Sequence, residues 1–268
     1  MQSSGDVPAQ VAAVALDLGA GAIRDIEPIK HGLTNRSWLV TTDADRVVVR
    51  ISDKSAQELQ IDRNSEAVVL RLVERADIGP EVLRCDPEHG ILVTRYLGAT
   101  WNERDAQLGD NVERLAALLR RLHALDVAKS VRVVDLASTV HGYLRTLDQR
   151  GIRSGLTLPA LRECADKAAM QLSKGSMPCL CHNDVHHLNI VDGESLRLID
   201  WEYAGVGEPL FDLASACVYH RYRRSQRERL LSAYAAPSEA VSWQRLELAC
   251  WLFDYIRDLW LAVRQDGP

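Results

Sequence analysis

Two hydrophobic rhythms divide the chain. In its front third, apolar residues alternate with polar ones over 23–29, 37–42, 46–51, 81–85 and 91–96, and these runs predict five strands. Asp43-Ala44-Asp45 makes the second and third a hairpin, and Asp86-Pro87-Glu88-His89-Gly90 turns the fourth into the fifth. Helical spacing covers 7–20 and 57–75. In the second of these, Ile61, Val68, Val69, Leu72 and Val73 mark an apolar face that ends before Gly79-Pro80. Past Gly98-Ala99-Thr100 the helical rhythm dominates, over 105–125, 138–150, 159–174, 209–220, 225–235 and 238–265. One insert, 179–199, reads instead as strand, loop and short hairpin.

A β-rich front joined to a helical back is an α+β layout of two lobes, 1–97 and 98–268. With 268 residues, 47% of them hydrophobic, the chain has ample material for a core. A net charge of -5 argues against a general nucleic-acid-binding surface. The basic run Arg221-Tyr222-Arg223-Arg224 reads as a solvated helix face. No apolar stretch approaches the ~20 residues of a membrane span. The first residues, Met-Gln-Ser-Ser-Gly-Asp, lack a basic and apolar signal, so a cytoplasmic protein is expected. Six scattered cysteines fit buried free thiols better than a disulfide framework. Cys179-Leu180-Cys181-His182 lacks a second Cys/His pair at zinc-finger spacing and reads as a core strand.

The chemistry concentrates between residues 182 and 212. Asp184 is followed by Asn189 five residues on, and Asp200 comes after the apolar run Leu196-Arg197-Leu198-Ile199. Kinases use this order: one carboxylate for the acceptor hydroxyl, then an amide and a second carboxylate for magnesium on the nucleotide phosphates. Magnesium prefers such oxygens to imidazole or thiolate. The alternative, a surface turn rich in Asx caps, does not account for a third polar partner at a strand's end. A zinc-hydrolase reading of His182 and His186 lacks its glutamate, because Asn183 stands there, and lacks a long helix. Whether His186 and His187 line the acceptor side of the loop or face solvent stays open.

His182-Asn183-Asp184 through Asn189, with Ile199-Asp200-Trp201-Glu202-Tyr203-Ala204-Gly205, resembles the choline/ethanolamine kinase branch of the aminoglycoside-phosphotransferase-like kinases. Thiamine kinases share the wording. Gly32-Leu33-Thr34-Asn35, Val48-Val49-Arg50 and Asp212 extend the likeness over most of the chain. The resemblance implies a protein-kinase-like fold, with Asp184 as catalytic base, Asn189 and Asp200 as magnesium ligands, and His182 and Asp212 bracing the loop. It also implies that Arg50 meets the phosphates of ATP, standing where most kinases have lysine, and pairs with Glu66. Glu58 and Glu74 compete for that pairing. The phosphate loop departs from a three-glycine pattern: only Gly32 falls within 30–37, leaving the backbone amides of Leu33 to Asn35 and the Thr34 hydroxyl to cover phosphates.

Choline, ethanolamine and thiamine share a positive charge and a primary hydroxyl, and such a cation favours carboxylates and aromatic faces. The back lobe offers Trp201, Glu202, Tyr203, Trp243, Trp251, Asp254, Tyr255, Asp258 and Trp260. Trp251, Tyr255 and Asp258 fall at i, i+4 and i+7, on one helix face. The expectation is therefore an ATP- and Mg²⁺-dependent kinase of a small cationic alcohol, choline or ethanolamine first. Its alternatives are a thiamine kinase, an aminosugar or aminoglycoside phosphotransferase, and a non-catalytic nucleotide or small-cation binder on the same scaffold. The oligomeric state is not legible in the residues.

Overall fold

The computed structural model describes residues 9–17, 21–30, 35–52, 58–235 and 242–265. Within them the alternating segments form one antiparallel sheet: β1 (Ile23–Ile29), β2 (Asn35–Thr42), β3 (Arg46–Ser52), β4 (Val82–Asp86) and β5 (Ile91–Arg95). The strand order is β1-β2-β3-β5-β4. Thr42 N–H closes the 43–45 turn on Asp45 O at 2.8 Å, and the resulting register sets Trp38 opposite Val49. Alternation then sorts the side chains. Trp38, Val40, Val47, Val49, Ile51, Ile91 and Val93 are buried with Val11, Val14 and Ala15 of α1 (Ala9–Asp17). Ser37, Leu39, Val48, Arg50, Leu92 and Thr94 point the other way, into a cavity. One sheet face makes core and the other faces the site.

The helix expected over 57–75 is α2 (Arg63–Arg75). Its start is fixed by Asp62, whose side chain accepts the N–H groups of Asn64 and Ser65; 58–60 form a turn, and 53–57 lie outside the described residues. The segment expected as one helix over 105–125 is two, α3 (Glu103–Gln107) and α4 (Gly109–His123). Leu108 between them is extended (ψ 136°), while Asn102 and Asp105 cap α3 reciprocally. Then follow α5 (Leu136–Gln149), α6 (Pro159–Ser173), α7 (Pro209–Tyr219), α8 (Arg224–Tyr234) and α9 (Trp243–Gln265).

The insert carries two small ribbons: β6 (Cys179–Cys181) pairs with β9 (Gly205–Gly207), and β7 (Ile190–Asp192) pairs with β8 (Leu196–Leu198). β9 gave no sequence signal, being three residues with glycine at both ends. Gly205 is needed there because a Cβ would sit 2.9 Å from the Arg132 carbonyl oxygen. Leu115, Leu119, Leu122, Leu180 and Leu198 are fully buried where α4 packs under the ribbons. Truncating any of them to alanine would cost about 2–5 kcal/mol. The sheet is tied on through Trp101 N–H, which donates to Ile190 O at 2.8 Å.

Other expectations need adjustment. The basic run spans the connection between α7 and α8 and only its end enters a helix: Arg221 is exposed at φ 51°, Tyr222 is buried, and Arg224 is the exposed first residue of α8. All six cysteines are free, but only Cys181, Cys217 and Cys250 are buried; Cys164 is exposed. Among the described residues, no helix is long and apolar enough to cross a membrane.

Candidate active site

The loop after β6 is assembled by one buried carboxylate. Asp212, on α7, accepts the backbone N–H of His182 at 2.8 Å and of Asn183 at 2.6 Å, and its Oδ2 lies 3.0 Å from His123 Nε2. These bonds hold Asn183 in the left-handed region (φ 67°), which asparagine tolerates. The Asn183 amide donates to Tyr203 O at 2.9 Å. The chain thereby turns sharply and presents Asp184 to the cavity.

His182 is fully buried, edge-on to Trp201, with ring centroids 4.6 Å apart. Its Nδ1 accepts from Asp184 N–H at 3.3 Å, so Nε2 carries the proton and donates to Ile199 O at 2.9 Å. Burial holds this imidazole below its ordinary pKa, hence neutral, despite Asp212 and Asp184 nearby. Both ring nitrogens are engaged, which removes the zinc-hydrolase reading of His182 and His186.

Asn189 ends a short 3₁₀ turn, His187–Asn189, and its Nδ2 donates to the Asp184 carbonyl at 3.0 Å and to Asp184 Oδ2 at 3.2 Å. Its Oδ1 is the atom left for a cation. Burial raises the Asp184 pKa, but His186, with Nε2 3.4 Å from Oδ2, and Tyr219 overcome this and hold the carboxylate below its usual range. Asp200 closes the set with φ 63° and a side chain still about one-third exposed. Burial pushes its pKa up; Arg50 opposes, while Glu66 and Asp184 add to the rise.

Arg50 on β3 forks onto Glu66 of α2, both contacts at 2.7 Å, and reaches Asp200 Oδ1 at 3.1 Å. Burial would depress this guanidinium, and the Glu66 carboxylate outweighs it. Glu58 instead pairs with Arg150, and Glu74 accepts from Val82 N–H, so the partner of Arg50 is Glu66. Arg63 extends the network to Glu66 Oε2 (2.8 Å), Glu202 Oε2 (3.0 Å) and Asn35 Oδ1 (2.8 Å). Three carboxylates, Glu66, Asp200 and Glu202, thus share the guanidiniums of Arg50 and Arg63. Burial and the facing Asp200 push Glu202 up to about 7. A surplus of oxygen ligands and negative charge, with an accessible Asp200 and an uncommitted Asn189 oxygen, suits a hard divalent cation such as magnesium.

Some predicted residues stand elsewhere. Gly32, Leu33 and Thr34 lie outside the described residues, and the side chain of Asn35 is spent on Arg63 and Glu202. Glu202 is buried in that network, bonded to Asn35 and Arg63, and also borders the cavity. Trp201 is buried, its Nε1–H donating to Leu198 O at 3.1 Å, and it too borders the cavity. The α9 face was misphased. Trp251 stacks on Tyr255, whose hydroxyl donates to Leu156 O, and Asp254 pairs with Arg257. Phe253, Ile256, Arg257 and Trp260, at i, i+3, i+4 and i+7, line the cavity instead. Tyr203 lines it too, accepting from Trp260 Nε1–H at 2.8 Å.

The cavity, about 930 Å³, runs from Ser37, Val48 and Arg50 on the sheet, past Asp184, Asn189 and Asp200, to Tyr203, Tyr219, Phe253 and Trp260. His186 and His187 border it. Sequence reasoning missed Arg132, which donates to the carbonyls of Tyr203 (2.7 Å) and Ala204 (3.0 Å) and anchors the turn after Asp200. It also missed Arg63 and His123, which lie far along the chain from the motif they support, and Tyr219, at the end of the helix that carries Asp212.

Residues 25–248 match the model of the phosphotransferase enzyme family. The chain belongs to that family. A thiamine kinase of Salmonella paratyphi C is 31% identical to this phosphotransferase over 234 residues, 81% of this chain and 75% of that protein. Choline kinase LicA from Streptococcus pneumoniae superposes with a TM-score of 0.82 at 20% identity, covering 97% of this chain and 92% of the other. LicA in complex with AMP gives 0.78 at 22% identity, over 96% and 90%. The protein-kinase-like fold and the likeness to choline, thiamine and aminoglycoside kinases drawn from the motif are thereby borne out. This is a small-molecule phosphotransferase.

Proposed function

We propose that this phosphotransferase is an ATP- and magnesium-dependent kinase that moves the γ-phosphoryl group to the hydroxyl of a small cationic alcohol, choline or ethanolamine first. Residues 1–97 would hold the nucleotide and 98–268 would carry catalysis and the acceptor. The observation that carries the acceptor class is the aromatic wall of Tyr203, Tyr219, Phe253 and Trp260 beside Asp184. π-faces attract a poorly hydrated cation, and the carboxylate lies where its hydroxyl would come. Asp184, kept ionised by His186 and Tyr219, takes the hydroxyl proton; Asn189 holds its position. Arg50, fixed by Glu66, presents its guanidinium toward the phosphates, a forked donor suited to their oxygens. Asn189 and Asp200 would hold the magnesium ion, which would supply charge neutralisation on the nucleotide phosphates. The relative solved with AMP supports an adenine nucleotide.

A second reading, thiamine as acceptor, is favoured by the Salmonella thiamine kinase, and its flat cationic ring suits the same wall. A coupled ADP-release assay over choline, ethanolamine, thiamine and an aminoglycoside decides. The proposal expects turnover with choline or ethanolamine. Turnover with thiamine alone transfers the site to that acceptor. Nucleotide binding without ADP release for any of them leaves a non-catalytic binder.

A further inference from the structure

We propose that Cys179, Cys181 and His123 form a binding site for one thiophilic divalent metal ion of the zinc class, set behind the active-site loop. The alternation of a strand puts both cysteines on one face of β6, and their sulfurs stand 3.9 Å apart. Tetrahedral zinc with Zn–S near 2.3 Å separates two sulfurs by about 3.8 Å, so the pair is spaced for the ion without rearrangement. A ring nitrogen of His123, from the end of α4, lies within 4.8 Å of both sulfurs. Its Nε2 is taken by Asp212 at 3.0 Å, the carboxylate–histidine arrangement that orients metal-binding imidazoles, so the ion would bind Nδ1 in exchange for the hydrogen bond that Nδ1 makes to the Tyr234 hydroxyl at 2.7 Å. The displaced Tyr234 hydroxyl would leave the fourth position to water.

The charges balance. Each thiol releases a proton as its sulfur–metal bond forms, so two thiolates and a neutral imidazole cancel the ion's two charges at a half-buried position. The CxC spacing alone did not reveal the site because no second Cys/His pair stands at zinc-finger spacing. The third ligand comes from another helix. The ion would join β6 to α4 and, through His123 and Asp212, stiffen the backbone of His182 and Asn183. None of this depends on the identity of the acceptor.

The test is titration of the metal-free protein with Cd²⁺ in deaerated buffer, following thiolate-to-cadmium absorption, and with Zn²⁺, following the melting temperature. One ion per chain is expected, with a rise of at least about 2 °C. Cys179→Ser, at a half-exposed position, should lose the absorption and the rise while keeping its metal-free melting temperature. Cys164→Ser and Cys250→Ser should keep both. Absorption unchanged in Cys179→Ser, or none in the unsubstituted protein, overturns the site.

Discussion

His182 Nε2 donates to Ile199 O at 2.9 Å, fastening the start of the active-site loop to the strand end that carries Asp200. The same ring accepts from Asp184 N–H. One neutral imidazole therefore sets the distance between two carboxylates that the chain separates by a ribbon. His182→Ala leaves a buried carbonyl and a buried N–H unpaired, which costs about 1–3 kcal/mol each. It should also lower kcat at least about tenfold, whereas His182→Gln, which keeps a donor, should recover part of both. Urea unfolding beside steady-state turnover checks this; wild-type kcat in the alanine variant would show that the brace is dispensable.

The Asp184 carboxylate is held by Asn189 from one side and His186 from the other. Asp184→Asn preserves the shape and removes the base, so turnover should fall by about 10²–10⁴-fold. Nucleotide affinity, set by other residues, should stay within about threefold. Asp200→Ala should do the opposite first and weaken Mg·ATP binding itself. Calorimetric titration with ATP, with and without magnesium, separates the two roles; equal nucleotide affinity in both variants would contradict them.

Much of this was legible in the chain, and the failures are specific. The phosphate-facing role of Arg50 came from the resemblance, and the pairing of β2 with β3 sets its side chain on the cavity face. Asp184, Asn189 and Asp200 were legible because they lie close together in sequence, with their spacing fixed by one turn and one ribbon. The misphased face of α9 has a physical cause: the helix is apolar on several sides, and Trp251 and Tyr255 are as aromatic as Phe253 and Trp260. Period alone cannot say which stripe meets the cavity. The partners of Glu202, Arg63 and Asn35, were not legible because they come from the other lobe.

Trp260 donates to the Tyr203 hydroxyl inside the cavity, while Trp251 stacks on Tyr255 outside it. Trp260→Ala should raise the acceptor KM about tenfold or more, the worth of one cation–π face with its packing. Trp251→Ala should leave it unchanged. Equal effects would place the acceptor elsewhere.

Arg50 is buried between Glu66 and Asp200, so its loss strands charge on both sides. Arg50→Ala should destabilise the fold by about 3–5 kcal/mol. Arg50→Lys keeps the charge but not the fork, and should weaken ATP about tenfold at a smaller stability cost. Denaturant midpoints and ATP titration together read this. A lysine variant with unchanged ATP affinity would mean the guanidinium serves only Glu66.

His220 supplies an acid sensitivity remote from the phosphates. It is buried with neither ring nitrogen hydrogen-bonded, and its ring lies 5.3 Å from that of Tyr222. Burial, together with His187 and His186 on the same side, pushes it down to about 3. In the unfolded chain it titrates near 6.5. Between those values the unfolded state binds the extra proton, so the stability contribution is complete above about pH 6.5 and is lost as pH falls. His220→Phe fills similar space without a titrating group. Relative to this variant, the natural chain should lose about 2 kcal/mol between pH 6.5 and 5. Urea unfolding of both at the two pH values measures the difference directly. A difference that does not change with pH would mean that His220 finds a proton partner in the folded protein.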